Sequence, residues 1–289
     1  MGSNPLERTS KLNSRLNSRD FLLFYFLRSI TIYLKMIKKE KFPILEFDSH
    51  RKARINPSDI TSSASLKSPY LVITFFYEII KRLLKEKKIK KYLKIKGEND
   101  LILYKFTDSD VYLMPGIIGG PATGGYLDEL SGYGIKKVIF CGGGGVLSKE
   151  IETGKLLLVT GAIRDEGFSY HYLKPSRIVY SSKPILKTME NYLDEKGISY
   201  LKGLVWTTDC YYRETKGLVE RRKKEGALMV EMEQSACLAV AKFRHLSYGA
   251  ILYAGDDVSS DIYDKRDWRK KGSVRYELVL LCKNLVLKF

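Results

Sequence analysis

From Tyr70 to Phe289, short apolar runs alternate with longer stretches whose apolar residues recur every three or four positions. "YLVITFF" (70–76), "DVYLMP" (110–115), "IKKVIFC" (135–141), "KLLLVTGAI" (155–163), "YLKGLVWTTD" (200–209), "ALMVEM" (227–232) and "GAILYAGDD" (249–257) have the length and the β-branched and aromatic content of buried strands. Between them, "YEIIKRLLKEKKIKKYL" (77–93), "ATGGYLDELSGYG" (122–134), "SKPILKTMENYLDEKGI" (182–198), "QSACLAVAKFRHL" (234–246) and "SVRYELVLLCKNLVLKF" (273–289) carry helical spacing. Gly134 and Gly197 stand as helix stops. Strands that alternate with helices are joined by crossovers, so the expected fold is α/β: a single domain with a mixed, largely parallel central sheet flanked by helices. A hydrophobic content of 44% is enough to fill its core.

The net charge of +17 invites a nucleic-acid reading until it is mapped. Residues 1–96 hold 22 Lys and Arg against 8 Asp and Glu, whereas residues 97–289 hold 28 against 25. The excess sits in lysine runs such as "KRLLKEKKIKKYLKIK" (81–96), which read as a solvated helical face. No nucleic-acid-binding motif accompanies them, so no nucleic-acid partner is expected. Cys141, Cys210, Cys237 and Cys282 form no C-x-x-C pair and are expected to be reduced thiols in a cytoplasmic protein. His50, His171 and His245 are equally scattered, and no metal site is expected.

Residues 1–35 are expected to be a non-core extension, with the domain over 36–289. Their polar, basic start followed by "FLLFYFLRSITIYL" (21–34) imitates a signal peptide, but no small-x-small cleavage site follows and Arg28 breaks the run. A membrane-associated helix over 21–34 is the alternative reading of this segment; apart from it no membrane partner is expected.

In an α/β sheet, ligands collect beyond the carboxyl ends of the strands. Five strand ends here are polar or glycine-rich: Gly116–Gly120, Gly142–Gly145, Thr207–Asp209, Glu231–Glu233 and Asp256–Asp257. The run Gly142–Gly145 fits a tight structural turn or an anion cradle, and is neither a Walker loop nor a dinucleotide fingerprint. Glu231 and Glu233 are the stranger feature. A carboxylate in an apolar setting must be paired, protonated or used on a ligand. Glu233 stands where a strand hands over to a helix, so a helix-start or salt-bridge role and a ligand role are both open.

At this point the chain resembles the nucleoside phosphorylase and nucleosidase superfamily. "VEMEQSACLAVA" (230–241) is similar to the family's "EMEAA" signature, and "AIRDEGFSYHYL" (162–173) to a segment of uridine phosphorylases. "IGGPATGGYLDELSGYGIKKVIFCGGGG" (118–145), "WTTDCYY" (206–212) and "LYAGDD" (252–257) follow in the family's order. The resemblance implies that Met232 and Glu233 hold a ribose, Glu233 through its hydroxyls, with Glu231 beside base or sugar. It implies that Tyr211 stacks on the nucleobase, that Arg213 and Glu214 read its edge, and that Asp256 protonates the leaving base, with Asp257 as the alternative. Gly142, Gly143 and Gly144 would take phosphate.

The sequence departs from the family at the phosphate site. Phe140 stands where phosphorylases carry an arginine, Gly143 where they carry Ser or Thr, and "VITFFYEII" (72–80) lacks their Gly-Asp-Pro loop and its arginine. Arg51, Arg54 and Arg164 are the substitute donors considered. Three functions are therefore carried: a phosphorylase cleaving a purine or pyrimidine nucleoside with inorganic phosphate as co-substrate and no cofactor, a nucleosidase using water, and a nucleoside-binding protein without turnover. The resemblance also implies a homo-oligomer in nucleoside salvage.

Overall fold

The computed structural model describes residues 37–61, 65–98, 100–268 and 272–289. The expected extension over 1–35, including 21–34, lies outside the described residues. By internal contacts the chain divides into Met1–Arg51 and Lys52–Phe289. Within the described part of the first unit the only regular element is a 3-10 turn, Pro43–Leu45. The second unit carries the α/β fold.

Its ten described strands are β1 (Tyr70–Thr74), β2 (Ile89–Ile95), β3 (Leu101–Phe106), β4 (Val111–Pro115), β5 (Lys137–Val146), β6 (Leu156–Asp165), β7 (Ile178–Tyr180), β8 (Tyr200–Thr208), β9 (Ala227–Glu231) and β10 (Ser247–Asp257). They form one sheet in the order β10-β6-β8-β9-β5-β1-β4-β3-β2, with β7 beside β6. Because β10 pairs with β5 as well as β6, the strands β5, β10, β6, β8 and β9 close into a ring from which β1, β4, β3 and β2 extend. The longest pairings, β5 with β10 and β6 with β8, are parallel, while β5–β9, β6–β10 and the β2–β3–β4 end are antiparallel.

Helices α1 (Tyr77–Lys85), α2 (Gly120–Gly132), α3 (Lys183–Glu195), α4 (Lys216–Lys224), α5 (Gln234–Arg244) and α6 (Gly272–Leu285) flank the sheet. The two-residue alternation of a strand explains the layering. Leu71 and Ile73 of β1, Phe140 of β5 and Leu252 of β10 pack into one core with α2 and α5. Their neighbours Val72, Ile139, Cys141 and Ile251 pack into a second core with α1, α3 and α6. Full burial of each such side chain stabilises the fold by roughly 1.5–3 kcal/mol. Among the described residues, no helix is long and apolar enough to cross a membrane.

Two expectations are corrected. The lysine-rich stretch 81–96 is not one helix: α1 ends at Lys85, Lys87 turns at φ 56°, and β2 begins at Ile89. Ile89 and Ile95 are buried while the lysines between them face solvent, and β2 pairs only with β3. Charges on an edge strand oppose pairing with other chains, which alternation in "IKKYLKI" could have signalled. The run Gly142–Gly145 is neither a turn nor a loop; it is the interior of β5, paired with β10 and, at Gly145, with β9.

Ile73 is wholly buried at the centre of the first core. We expect Ile73→Ala to lower unfolding stability by about 2–5 kcal/mol in urea with an unchanged slope; a loss below about 1 kcal/mol would show that this layer is loosely packed.

Candidate active site

The carboxyl ends of β1, β4, β5, β9 and β10 converge on a cleft of about 1470 Å³. Its centre is built by the β9–α5 junction. Glu231 ends β9 and is 7% exposed. Its Oε1 accepts from the Thr207 hydroxyl of β8 at 2.5 Å, and its Oε2 accepts from the backbone N–H groups of Glu233 at 2.6 Å and Gln234 at 2.7 Å. A helix start leaves such N–H groups without intrahelical partners, so Glu231 is the cap that lets α5 begin here. Thr207 in turn accepts from Ser235 N–H at 3.0 Å.

Glu233 occupies the N-cap position of α5 and is also 7% exposed. Its Oε1 accepts from the Gly119 N–H at 2.7 Å, which ties the loop after β4 to the β9–α5 junction. Its Oε2 makes no hydrogen bond to a described side chain. Burial drives both carboxyls up, Glu231 to about 8, with the charge of Glu233 adding, and Glu233 to about 7. Hydrogen bonds to each oppose the rise. The two titrate as a coupled pair.

Also in the lining of the cleft, Tyr211 and Tyr212 stack with centroids 4.2 Å apart and rings tilted by 42°. Both are exposed, as befits a platform at a mouth. Glu214 and the half-buried Asp256 line the wall beside them. Burial, with the charge of Asp256 adding, pushes Glu214 up to about 7. A carboxyl that holds a proton near neutrality, next to a second carboxyl, can deliver one to a leaving group.

Glu231, Met232, Glu233, Tyr211, Glu214, Asp256, Gly143 and Gly144 thus line one cleft, whereas Gly142, Arg213 and Asp257 are not among its lining residues. Arg213 is exposed at the end of a 3-10 turn, Tyr211–Arg213. Asp257 pairs with Arg266 at 2.5 Å and accepts from Ser259 N–H at 2.7 Å. Burial alone would raise its carboxyl, but these partners hold it below the usual range. The carboxylate of this pair that faces the cleft is Asp256. Arg164 is buried and spends its guanidinium on Ser169, Ser176 and the Leu173 and Lys174 carbonyls, so it is no anion donor. Arg54 is exposed and outside the cleft lining, and Arg51 belongs to the first unit.

Aromatic rings fill the region where the sequence departs from the family. Phe75 and Phe140 meet at 5.4 Å with a tilt of 45° and both line the cleft. The glycines accommodate these rings. A Cβ on Gly116 would overlap the Phe75 ring, one on Gly142 would lie 2.7 Å from Phe140, and one on Gly143 would lie 2.8 Å from Tyr253. Sequence reasoning missed Tyr253, Trp268 and Arg275, which also line the cleft. Among the described residues, no group of three His, Cys, Asp or Glu side chains is arranged to hold a metal ion.

The model of the phosphorylase superfamily matches residues 70–289. Guanosine phosphorylase of Halorubrum lacusprofundi is 25% identical over 183 residues, 61% of this chain and 76% of that protein. A DeoD-type purine nucleoside phosphorylase of Shewanella oneidensis is 28% identical over 139 residues, 47% of this chain and 59% of that protein. Among solved structures, uridine phosphorylase of Vibrio fischeri superposes with a TM-score of 0.64 at 22% identity, covering 79% of this chain and 99% of that one. AMP nucleosidase of Bacteroides thetaiotaomicron gives 0.62 at 22% identity, covering 75% and 86%.

Glu233 is protonated more readily in the fold than in the unfolded chain, so its burial costs stability as pH rises from about 4.5 through about 7. We expect Glu233→Gln to be progressively more stable relative to the parent between pH 5 and pH 8, read as the difference in thermal midpoints. A pH-independent difference would mean that this carboxyl is not raised.

Proposed function

The chain belongs to the phosphorylase superfamily, and we propose that it cleaves the N-glycosidic bond of a purine or pyrimidine nucleoside with phosphate, giving free base and ribose 1-phosphate. One observation carries this reading: Glu233, whose carboxyl accepts from backbone N–H groups and from no described side chain, lines the same cleft as Tyr211 and Asp256. Ionised, that carboxylate can only accept, and ribose hydroxyls are matching donors. The base stacks on Tyr211, while Glu231 keeps one oxygen on the Thr207 hydroxyl and the other on the α5 start, and positions Glu233 rather than touching the sugar.

As the glycosidic bond lengthens, the bonding electrons move onto the base and positive charge develops on the ribose ring. Asp256 relays to the departing base the proton that Glu214 beside it holds near neutrality. Glu233 holds the ring in place as the acceptor oxygen closes on the anomeric carbon. The reaction belongs to nucleoside salvage, and we assign it to a cytoplasmic homo-oligomer.

A second reading, hydrolysis, is favoured by the Phe75–Phe140 pair. Rings present no cation to an oxyanion, and six carboxylates line the cleft against two basic residues, Lys216 and Arg275. Such a surface suits a neutral acceptor, water.

Incubation with a panel of nucleosides, with and without phosphate, separates the two: ribose 1-phosphate is expected, and free ribose at a phosphate-independent rate would replace phosphorolysis by hydrolysis. Glu233→Ala should lower kcat/KM by about a hundredfold or more, and activity within threefold of the parent would reject the ribose assignment. Asp256→Asn should lower kcat on purine nucleosides by about 10²–10⁴-fold, the usual worth of a general acid; an unchanged kcat and pH profile would remove Asp256 from that role.

A further inference from the structure

Arg275 is an unusual side chain for the wall of this cleft. It sits in the first turns of α6 and is 6% exposed. Its Nη1 pairs with Glu78 of α1 at 2.6 Å. Its Nε is buried and has no hydrogen-bond partner among the described residues. The guanidinium lies 4.3 Å from the Phe76 ring centroid, 5.4 Å from Trp268 and 5.9 Å from Tyr253, and all four residues line the cleft. Aromatic faces favour a cation but accept no strong hydrogen bonds, so at Nε the fork keeps a donor that no described residue uses.

Its position matters as much as its state. Phe76 directly precedes α1 just beyond the end of β1, and Tyr253 pairs in register with Gly143 of β5. These are two of the places where the sequence lacks the anion ligands of its family. The other basic residue of the lining, Lys216, is exposed and paired with Asp261 at 2.9 Å. Among the described residues that line the cleft, Arg275 is therefore the only buried basic one.

We infer that Arg275 is the oxyanion-holding group of this cleft, supplied by α6 in place of the missing strand-end arginines, and that its ligand is a phosphate group. The inference rests on the glycosidic-cleavage reading. The phosphate is either the inorganic co-substrate or one carried by the substrate. Arginine's planar fork suits both, because it meets phosphate oxygens two at a time. Glu78, half-exposed, holds the guanidinium when no anion is present and competes with one that arrives.

Calorimetric titration of the parent, Arg275→Met, Arg275→Lys and Glu78→Gln with inorganic phosphate, a nucleoside 5′-monophosphate and the unphosphorylated nucleoside tests this without relying on turnover. In the parent, phosphate or the monophosphate binds; Arg275→Met weakens that ligand by about ten- to a hundredfold and changes the nucleoside by less than about twofold, as loss of charge-assisted hydrogen bonds to an anion requires. Arg275→Lys recovers part of the loss, and Glu78→Gln tightens anion binding. Whichever of the two anions responds identifies the source of the phosphate group. Equal anion binding by parent and folded Arg275→Met, or no binding of either anion to the parent, overturns the inference. Should Arg275→Met not fold, Glu78→Gln decides: unchanged anion affinity with lowered stability means that the pair is only structural. Phosphate-independent base release by the parent would sink phosphorolysis but leave the monophosphate arm to judge Arg275.

Discussion

The cleft depends on a single carboxylate that need not touch the substrate. Glu231 reaches from the end of β9 to the first N–H groups of α5 and to the Thr207 hydroxyl on β8. Two adjacent strands and a helix start are thereby fixed to one another. Without it, α5 would begin with buried, unpaired N–H groups, each costing about 1–3 kcal/mol. With it, residue 233 is forced into the N-cap position with φ −134° and ψ −25°, and its side chain lies in the cleft wall beside Gly119. The far end of α5 is equally determined: His245 adopts the left-handed conformation that stops the helix, and Arg244 pairs with Asp128 of α2.

This division of labour explains why an apolar run keeps two carboxylates one residue apart. One carboxylate accepts three hydrogen bonds, from the Thr207 hydroxyl and the first N–H groups of α5, and the other accepts from backbone N–H groups alone. Both are held above the usual carboxylate range by burial. A hydroxyl-bearing ligand would stabilise the charged form of Glu233, so the raised carboxyl would link the binding of such a ligand to proton loss.

The parts of this architecture that were legible in the sequence are those set by local periodicity. The seven quoted apolar runs all form strands, because β-branched and aromatic residues bounded by glycine or polar residues leave little alternative. The helix stops at Gly134 and Gly197 adopt φ 104° and 63°, which favour glycine. What periodicity did not show was β2, β3 and β7, and the ring closure through β10, which depends on pairing between strands distant in sequence. The cleft's polar residues were visible as strand ends. Arg275 was not: it falls on the apolar face of α6 with Leu278, Val279 and Cys282, where helical spacing reads as core. A lone arginine at such a position was the available signal.

The glycine run teaches the opposite lesson about local signals. Four glycines after an apolar strand suggest backbone left bare for an anion, and the structure offers another cause. Gly142 and Gly143 lie against the rings of Phe140 and Tyr253, as Gly116 lies against Phe75. Rings and glycines form one interdependent set. A serine or threonine at position 143 would have to displace Tyr253, and Tyr253 is itself packed on Phe76 at 5.6 Å, beside Arg275. The departures at Phe140, Gly143 and the end of β1 are thus not three separate losses. They lie in one packed set of rings and glycines, with the buried Arg275 of α6 beside it. Restoring Ser or Thr at position 143 alone would crowd Tyr253 rather than build a phosphate site, which ties the acceptor end of this cleft to the aromatic set and Arg275 together.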